Sequence, residues 1–497
     1  MSRYISITLG PITRVISMAK TTRGIWAASY IFSYIAKQII FPFKERTFLL
    51  PKIDNEMFNE KYNGAGIFPD RYIFKAEGGD FDKLVEGIDA TFEGLSSKIA
   101  PNEKEKDNAK QQLKDIFKIF FFEKEFEKDD SNDIVKECEL ALSLIEQQDT
   151  FAPSIADNQN YLDTLFNGKN KKMAFLKEDA GIENFKSIVE ISSGSQAPKK
   201  RYERYVAIVY SDGDSMGTLL SSGKVKHVDL SEALLSFNRK AINLINGFDG
   251  QPVFIGGDDL FFFAPIYNDQ KKSSIFTLLQ DLDTAFKEAL KDKNIVGPSI
   301  SFGVSITYFK FPMFEAVDFA NQLLFDFAKG YKDPEKDDAF SKEHYERKNN
   351  IVFSVQKHSG HTRRALLHKG FSETVEQFYK MLNSYCGLTA PEANKNHPPA
   401  ATPATEQEQK DGIFLHSVMH NLREHDAVLR IAVTDDKLLS NYFDNFYNEA
   451  VHESHKAFLG QLKLLLRYAH KEYLSPSAAI ELAYALLQFI HLVNFDS

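Results

Sequence analysis

Apolar and polar positions in the first part of the chain predict one strand and then a series of helices. The run Tyr4–Leu9 has the alternation of a short strand, and a helical stretch after it ends near Ile40. Residues 81–190 combine charged runs with apolar positions at helical spacing, such as Ile119 and Phe120. We therefore expect a βα opening followed by a mainly helical middle region.

After residue 200 the pattern is that of an α+β unit. A β-rich run, Tyr205–Tyr210, precedes a helix whose apolar side includes Leu234 and Phe237. The predicted elements that follow are strands Pro252–Ile255 and Leu260–Phe263, a helix near 273–291, a strand over Ile300–Tyr308, a helix from about 314 to 329 and a strand Ile351–Val355. The order βαββαβαβ places helices on one face of an antiparallel sheet, the ferredoxin-like arrangement of polymerase and cyclase palms.

The predicted fold class is α+β, with two ferredoxin-like palm domains, the second catalytic, and helical middle and C-terminal domains. Residues 388–411 contain four prolines among Ala, Thr, Asn, Glu and Gln, and we expect them to be disordered. The expected domains are the start of a non-catalytic first palm (1–80), a mainly helical region with the remainder of that palm (81–195), the second palm (200–360), the disordered linker (388–411) and a helical C-terminal domain (412–497).

Length, charge and cysteine content narrow the possible functions. A chain of 497 residues exceeds one hydrophobic core, so we expect three to four domains. The net charge of −9 argues against binding of nucleic acid through an overall positive charge. Any contact with RNA must therefore be confined to a limited part of the surface. The sequence has only two cysteines, Cys138 and Cys386, which excludes a disulfide framework and a four-cysteine zinc site. This low cysteine content fits a reducing cytoplasm. The apolar stretch Ile25–Phe43 contains Lys37 and is predicted to be a buried helix, not a membrane span.

Carboxylates stand at the ends of two predicted strands, where they could hold metal ions. Asp212 ends the first strand of the second palm, and Asp258 and Asp259 occupy the tip of the following hairpin. Nucleotidyl transfer needs two divalent cations about 3.5 to 4 Å apart, held by closely placed carboxylates. We predict that Asp212, Asp258 and Asp259 are catalytic and bind metal, with the Gly213 carbonyl as a further ligand. Mg²⁺ or Mn²⁺ suits such oxygen ligands.

Residues near these acids are predicted to bind the nucleotide. Gly256 and Gly257 would let the hairpin turn tightly and let a nucleotide approach the backbone. The segment from Asp214 opens the next helix, whose free N–H groups could bind a triphosphate, with Ser215 as the candidate contact. The further candidates for phosphate contacts are Lys329, near the end of a later palm helix, and Lys348, before the last strand.

The segments Tyr210–Gly217 (YSDGDSMG) and Ile255–Leu260 (IGGDDL) resemble the second palm of the large subunit of type III CRISPR effector complexes. The start of the chain resembles the first palm of the Cmr-type (III-B) branch of that family. That second likeness rests on Gly10-Pro11-Ile12, Thr22-Arg23, Trp26 and Ser29-Tyr30.

The resemblance implies a subunit of a crRNA-guided complex with other Cmr-type subunits. When target RNA is bound, such a protein joins ATP units by attack of a 3′ hydroxyl on an α-phosphate. The product would be an adenylate second messenger, a cyclic oligoadenylate. The resemblance implies a cytoplasmic protein with ATP and RNA as partners and no membrane.

Two elements of the family are missing from this sequence. No histidine-aspartate nuclease domain precedes the first palm, which begins at residue 4, so we expect no DNA cleavage. The helical C-terminal region contains His425-Asp426 together with His416 and His420, but it lacks the other metal ligands of a histidine-aspartate nuclease. We do not expect these residues to form a nuclease. The four zinc cysteines of many relatives are also missing, and no zinc is predicted.

A third departure bears on the second substrate. Related first palms commonly carry Pro-Asn-Arg where this chain has Pro69-Asp70-Arg71, which puts an acid near the nucleotide pocket. The simpler interpretation is a surface Asp, but a carboxylate there could favour a cationic acceptor, and transfer of AMP to S-adenosylmethionine is an alternative reaction.

Two other functions stay open. A GGDEF-type synthase that makes a cyclic dinucleotide from GTP uses the same palm, although the Cmr-like opening counts against it. A scaffold with an inactive palm would have lost its acids, and Asp212, Asp258 and Asp259 are all present.

Overall fold

The structure is a computed structural model that describes residues 1–148, 161–168, 173–194, 197–329, 348–356, 362–386, 406–447 and 453–494. Its strands in those residues are β1 (Ser2–Gly10), β2 (Phe48–Leu50), β3 (Arg71–Lys75), β4 (Lys118–Phe126), β5 (Tyr205–Gly213), β6 (Gln251–Gly256), β7 (Asp259–Pro265), β8 (Tyr267–Asn268), β9 (Ser273–Ser274), β10 (Ile300–Tyr308), β11 (Asn350–Gln356) and β12 (Thr362–His368).

The α-helices of the same residues are α1 (Ile12–Ile16), α2 (Thr22–Ile40), α3 (Asn55–Asn59), α4 (Asp80–Ile99), α5 (Lys106–Ile116), α6 (Ser131–Gln148), α7 (Tyr161–Asn167), α8 (Ala174–Ala180), α9 (Ile188–Ser193), α10 (Met216–Ser221), α11 (His227–Gly247), α12 (Ile275–Lys291), α13 (Met313–Gln322), α14 (Ser372–Tyr385), α15 (Glu406–Glu424), α16 (Asp426–Ala432), α17 (Asp436–Phe446), α18 (Lys456–Tyr473) and α19 (Pro476–Asn494). The α+β fold class predicted from the sequence is confirmed.

The first sheet is built around β1. Within the described residues its strand order is β2-β3-β1-β4, and β1 pairs antiparallel with β3 and β4. The predicted strand Tyr4–Leu9 is confirmed inside β1, where every residue from Tyr4 to Leu9 is buried. A strand with two neighbours and two covered faces buries both sets of alternate side chains, which explains this pattern.

Strand β4 corrects the helical prediction around Ile119 and Phe120. Both residues pair with β1, and the neighbouring Phe121 packs its ring 5.4 Å from that of Phe81. A run of three phenylalanines favours a strand with packing on both faces. The helical spacing in the sequence arises because helix α5 ends at Ile116, two residues before β4 begins.

Helix α2 confirms the buried helix predicted over Ile25–Phe43. Trp26 is fully buried, and its indole N–H donates to the carbonyl oxygen of Gly64 at 2.7 Å. Lys37 is half-buried and pairs with Asp179 at 2.9 Å. The indole N–H of Trp26 and the ammonium group of Lys37 therefore both have partners inside the protein.

The second sheet has the strand order β12-β11-β10-β5-β7-β6 in the described residues. Each strand predicted after residue 200 is present, and β12 and the short pair β8-β9 are additional. Strands β5 and β10 are antiparallel, but β10 and β11 are parallel, with Phe302 opposite Ile351. The prediction of an antiparallel sheet is wrong for this pair, because the helix between the two strands returns the chain in the same direction.

Helix α13 continues as a π-helical turn, Leu323–Ala328, that packs closely on β10. A Cβ atom added to Gly303 would lie 2.4 Å from the backbone nitrogen of Leu324. Glycine at this point of β10 therefore permits the close approach of the turn. Lys329 follows directly after the turn and is positioned by it.

The chain forms two compact units. The first comprises residues 1–187, 215–262 and 281–299, and the second comprises residues 188–214, 263–280 and 300–497. In the second unit, the ring of Phe276 lies 4.8, 5.3 and 4.9 Å from those of Phe353, Phe378 and Phe489, respectively. Through these aromatic contacts, helices α14 and α19 and strand β11 all pack around Phe276.

The described C-terminal residues are helical from Glu406 onward. Helix α15 begins inside the predicted linker 388–411, whose residues up to 405 lie outside the described part of the chain. Helix α19 is, among the described residues, the one helix with the length and hydropathy of a membrane span, and 83% of its apolar window is buried in the protein. Burial of this kind is typical of a core helix.

Candidate active site

A tight turn joins β6 to β7 and carries the adjacent carboxylates Asp258 and Asp259. Gly257 has a φ of +62°, a left-handed conformation that glycine adopts without a steric cost. A Cβ atom on Gly256 would lie 2.7 Å from the ring of Phe254. Gly257 thus suits the backbone geometry of the turn, and Gly256 leaves room for the ring of Phe254.

The two carboxylates line a cavity of about 240 Å³ within the first unit. Asp70 lines the same cavity, because the chain before it runs beside β6, where the Ile255 N–H donates to the Gly66 carbonyl oxygen at 3.1 Å. The apolar wall of the cavity includes Met57, Ile67, Met216, Leu230, Leu234 and Phe254. One end of this cavity is thus acidic and the remainder is largely apolar.

The acidic end is electrostatically unfavourable without a cation. Burial raises the pKa of Asp259 well above its usual value, and the negative charges of Asp258 and Asp70 raise it further. Burial also raises the pKa of Asp70, while Arg71 opposes that shift. Solvent reaches Asp259 from the cavity even though surrounding protein desolvates it. A cation placed here would relieve the repulsion and restore ordinary acidity.

The basic residues that line the cavity are held by other acids. The guanidinium of Arg71 donates to Glu139 at 3.0 Å and to Glu146 at 2.7 Å, both on helix α6. Lys52 pairs with Glu232 at 2.9 Å. Both bases are thus engaged by glutamates, and Arg71 in addition attracts the carboxylate of Asp70.

Asn238 of helix α11 contacts the turn and was not predicted. When its amide is oriented to satisfy both partners, the nitrogen donates to the Gly257 carbonyl oxygen at 2.9 Å and the oxygen accepts from the Gly257 N–H at 3.1 Å. Asn238 is 4% exposed. A single asparagine within an amphipathic helix gives no sequence signal for such a contact.

The second unit contains a separate group of oxygens around Lys329. Its ammonium nitrogen contacts the carboxylate of Asp212, lies 2.5 Å from the carbonyl oxygen of Gly213 and lies 3.4 Å from Asp214. Three oxygens at the end of β5 therefore face one positive charge. The sequence predicts Asp212 and the Gly213 carbonyl as metal ligands and Lys329 as a phosphate contact, and the structure adds a contact between Lys329 and these oxygens.

Asp214 is buried and is used within the fold. Its carboxylate accepts from the hydroxyl of Ser301 at 2.8 Å and from the N–H of Asn349 at 2.9 Å. The side chain of Asn350 donates to the carbonyl oxygen of Ala328 at 2.9 Å, which fixes the end of the π-helical turn. These contacts hold the end of β5 against β10 and β11.

The charge of Lys329 is set by opposing effects. Burial, with a contribution from the positive charge of Lys348, lowers the pKa of Lys329 to about 7. Contact with the Asp212 carboxylate acts in the other direction and favours the ammonium form.

The other predicted residues have less specific surroundings. Ser215 is exposed, has a φ of +62° and makes no capping hydrogen bond to the short helix α10. Lys348 is exposed before β11. In the C-terminal region, His425 packs its ring 4.3 Å from that of Phe446, and Asp426 pairs with Arg430. Packing and an ion pair thus account for the His425-Asp426 motif.

The oxygen atoms at these two places suit an open magnesium site, which water and substrate complete, better than a metal site closed by protein side chains alone. In the described part of the chain, no three His, Cys, Asp or Glu side chains form a ready-made metal cage. Mg²⁺ typically takes one or two carboxylates and completes its shell with water and substrate phosphates. Asp258 with Asp259, and Asp212 with the Gly213 carbonyl, offer oxygen atoms of the kind that such an ion takes.

Two family models match this chain. Residues 205–339 match the Cas10/Cmr2 second palm domain, and residues 4–128 match the N-terminal region of the CRISPR-associated protein Cmr2. The chain is also similar to the Cmr subunit Cmr2 of Pyrococcus furiosus, with 24% identity over 196 residues. That alignment covers 34% of this chain and 22% of the relative, so it spans about a fifth of the relative's length.

Solved structures of two complexes share the fold. A type III-B Cmr-beta complex bound to cognate target RNA matches with a TM-score of 0.50 and 10% identity, over 90% of this chain and 78% of that chain. A Csm1-Csm4 cassette in complex with one ATP matches with a TM-score of 0.53 and 10% identity, over 99% of this chain and 70% of that chain. At these identities the likeness establishes the fold alone.

Proposed function

Because the chain belongs to the Cas10/Cmr2 family, we propose that it is the nucleotidyltransferase subunit of a type III-B CRISPR effector complex. Its substrate is ATP, and its product is an adenylate second messenger, a cyclic oligoadenylate, made when target RNA binds the complex. The observation that carries this proposal is the acidic cavity at the β6–β7 turn. Asp258, Asp259 and Asp70 line it together, and burial with the charges of Asp258 and Asp70 raises the pKa of Asp259, as expected where a cation takes part in the chemistry.

The proposed ligands of the metal ions are Asp212, the Gly213 carbonyl oxygen, Asp258 and Asp259. Two Mg²⁺ or Mn²⁺ ions, when bound, activate the attacking 3′ hydroxyl and stabilise the leaving pyrophosphate. Lys329 lies against Asp212 and Gly213, and its flexible side chain can turn its ammonium group towards the β- and γ-phosphates. Ser215 and Lys348 are further proposed phosphate contacts.

The cavity offers a place for one nucleotide. Gly257 has no side chain, and a Cβ atom there would meet nothing within 4 Å, so the backbone is open to a ligand. The apolar wall that includes Leu234 and Phe254 can cover a base or ribose. Burial in such a wall excludes water from the reacting groups and strengthens their electrostatic interactions.

Transfer of AMP to S-adenosylmethionine is a second candidate reaction, and Asp70 is the observation that favours it. Asp70 lines the same cavity as Asp258 and Asp259 and contributes to the raised pKa of Asp259. A sulfonium cation beside Asp70 would be attracted by its carboxylate, whereas a second ATP would bring additional negative charge. The identity of the acceptor thus depends on the charge at this position.

The proposed partners are other Cmr-type subunits, crRNA and target RNA, in the cytoplasm. This proposal is supported by the similar Cmr-beta complex bound to cognate target RNA and by the Csm1-Csm4 cassettes in complex with cA4 and with one ATP. The match of residues 4–128 to a Cmr2 model favours this assignment over a GGDEF-type synthase.

We assign the two sheets to two palm domains as part of the same proposal. Strand β1 contains no acidic residue, so the palm built around it would pack or bind nucleotide without catalysing. The palm built around β5 would carry the chemistry. The divisions at residues 80, 195, 360 and 412 remain predictions.

The experiment is to incubate the assembled complex with target RNA, Mg²⁺ or Mn²⁺ and α-labelled ATP, with and without S-adenosylmethionine. Mass spectrometry identifies the products, and a complex with Asp258→Ala and Asp259→Ala is the control. Oligoadenylates that disappear in the control support the main proposal. An AMP conjugate that requires S-adenosylmethionine supports the second candidate, and no product with any of these substrates contradicts both.

A further inference from the structure

One side chain holds both backbone polar groups of Gly257, which belong to the peptide units on either side of its Cα atom. Asn238 donates to the Gly257 carbonyl oxygen at 2.9 Å and accepts from the Gly257 N–H at 3.1 Å. The side chain is 96% shielded from solvent, since Asn238 is only 4% exposed. A carboxamide is the neutral side chain that offers a donor and an acceptor side by side for this purpose.

Gly257 is the residue whose conformation sets the direction of the turn. Its φ of +62° is one of several that glycine can adopt, so the backbone itself does not fix the turn in a single state. Two hydrogen bonds from a buried helical residue restrict that freedom. Asp258 follows directly, and its position depends on how the Gly257 peptide is oriented.

We propose that Asn238 is a positioning residue that fixes the Gly257 peptide and thereby aims Asp258 and Asp259 into the cavity. Asn238 does not touch the reacting groups, and its effect is transmitted through the backbone of the turn. This inference deepens the proposed function and rests on it for the link to catalysis. It does not depend on which acceptor the enzyme uses.

Loss of this contact should destabilise the turn. Alanine at position 238 would leave the N–H and the carbonyl group of Gly257 without the partner they have here, and loss of each hydrogen bond destabilises this conformation of the turn. The turn would then move to satisfy them, and the two carboxylates would move with it. Removal of residues that orient metal ligands typically lowers metal affinity or activity about 10- to 100-fold.

Two substitutions test the contact, and one nearby residue provides the control. Asn238→Ala removes both hydrogen bonds, whereas Asn238→Asp keeps the size and the acceptor but loses the donor to the Gly257 carbonyl oxygen. Asn243→Ala changes the same residue type at an exposed position of the same helix. All three are made in the full chain and assembled into the complex.

The first readout is the binding of Mn²⁺ to the full chain in the presence of a non-hydrolysable ATP analogue, measured by electron paramagnetic resonance. The second is the Mg²⁺ dependence of kcat in the assembled complex, and the third is thermal unfolding. We expect both Asn238 variants to weaken Mn²⁺ binding and raise the half-saturating Mg²⁺ concentration about 10-fold or more. Asn243→Ala should leave both quantities unchanged.

The outcomes separate this inference from the proposed function. Unchanged metal dependence in Asn238→Ala would overturn the positioning role, as would an activity loss that only follows the fraction of unfolded protein. If the unsubstituted complex makes no nucleotide product but Asn238→Ala weakens Mn²⁺ binding, the positioning role stands and the proposed function fails. If the unsubstituted chain binds no Mn²⁺, the positioning role fails.

Discussion

Lys329 places its ammonium nitrogen 2.5 Å from the carbonyl oxygen of Gly213 at the end of strand β5. The same nitrogen contacts the carboxylate of Asp212, so a positive charge lies where the proposed function requires a metal ion. A lysine and a metal ion compete for these oxygens. Lys329 would have to move when the metal and the triphosphate bind.

Removal of this lysine should therefore make the protein more dependent on metal. We expect Lys329→Ala to lower the free energy of unfolding by about 1–3 kcal/mol without metal, because the acids lose a charged hydrogen-bond partner. Added Mg²⁺ should raise its melting temperature more than that of the unsubstituted chain. Thermal unfolding with and without Mg²⁺ measures both effects, with the exposed Lys380→Ala as control. Equal Mg²⁺ shifts in all three proteins would contradict the competition.

Asp70 should make stability fall as pH rises. The folded-state pKa of Asp259 and of Asp70 is raised above the unfolded value, so the folded state binds more protons between that value, near 3.8, and the raised pKa. Stability is therefore lost as pH rises through this window. Asp70→Asn removes one charge and should flatten this part of the profile and raise stability at neutral pH. Thermal unfolding from pH 3 to pH 8 tests this, and an unchanged profile contradicts it.

The same substitution tests the role of Asp70 in acceptor choice. If the acceptor is S-adenosylmethionine, Asp70→Asn removes the carboxylate that attracts the sulfonium cation and should lower the yield of the AMP conjugate about 10-fold. The yield of any oligoadenylate should not fall. Mass spectrometry with both acceptors present gives the ratio. A ratio that is the same in both proteins would show that Asp70 does not select the acceptor.

Gly257 should be more important for nucleotide binding than for folding. Alanine in its left-handed conformation costs about 1–2 kcal/mol of stability. A Cβ atom meets no protein atom within 4 Å, so it would project into open space beside the acids, where it obstructs a ligand. The loss in binding free energy, measured by calorimetric titration with an ATP analogue, should be larger than the loss in the free energy of unfolding. Gly94→Ala, on an exposed helical turn, is the matched control and should stabilise the protein.

Local signals were sufficient for much of the fold. The strand at Tyr4–Leu9, the buried helix α2 and the order of elements after residue 200 were all visible as apolar periodicity. The turn at Gly256–Gly257 was visible because two glycines followed by two acids between strand-like runs form a hairpin. Each of these features depends on residues close in sequence.

The missed features depend on contacts between distant residues. The pairing of β4 with β1 joins residues more than 100 positions apart, and the parallel pairing of β10 with β11 is set by the path of the intervening chain. The contact of Lys329 with Asp212 spans 117 positions and left no signal in the sequence. Asn238 gave no signal, since only the folded helix brings its amide to the turn.

The most direct test is the rate of pyrophosphate release from ATP by the assembled complex with target RNA. We predict that Asp258→Asn with Asp259→Asn lowers this rate by more than about 100-fold, because metal ligands matter more than the residues that orient them. Crosslinking and thermal unfolding confirm that the variant still assembles and folds. An unchanged rate in a folded, assembled variant would show that the turn between β6 and β7 does not carry the chemistry.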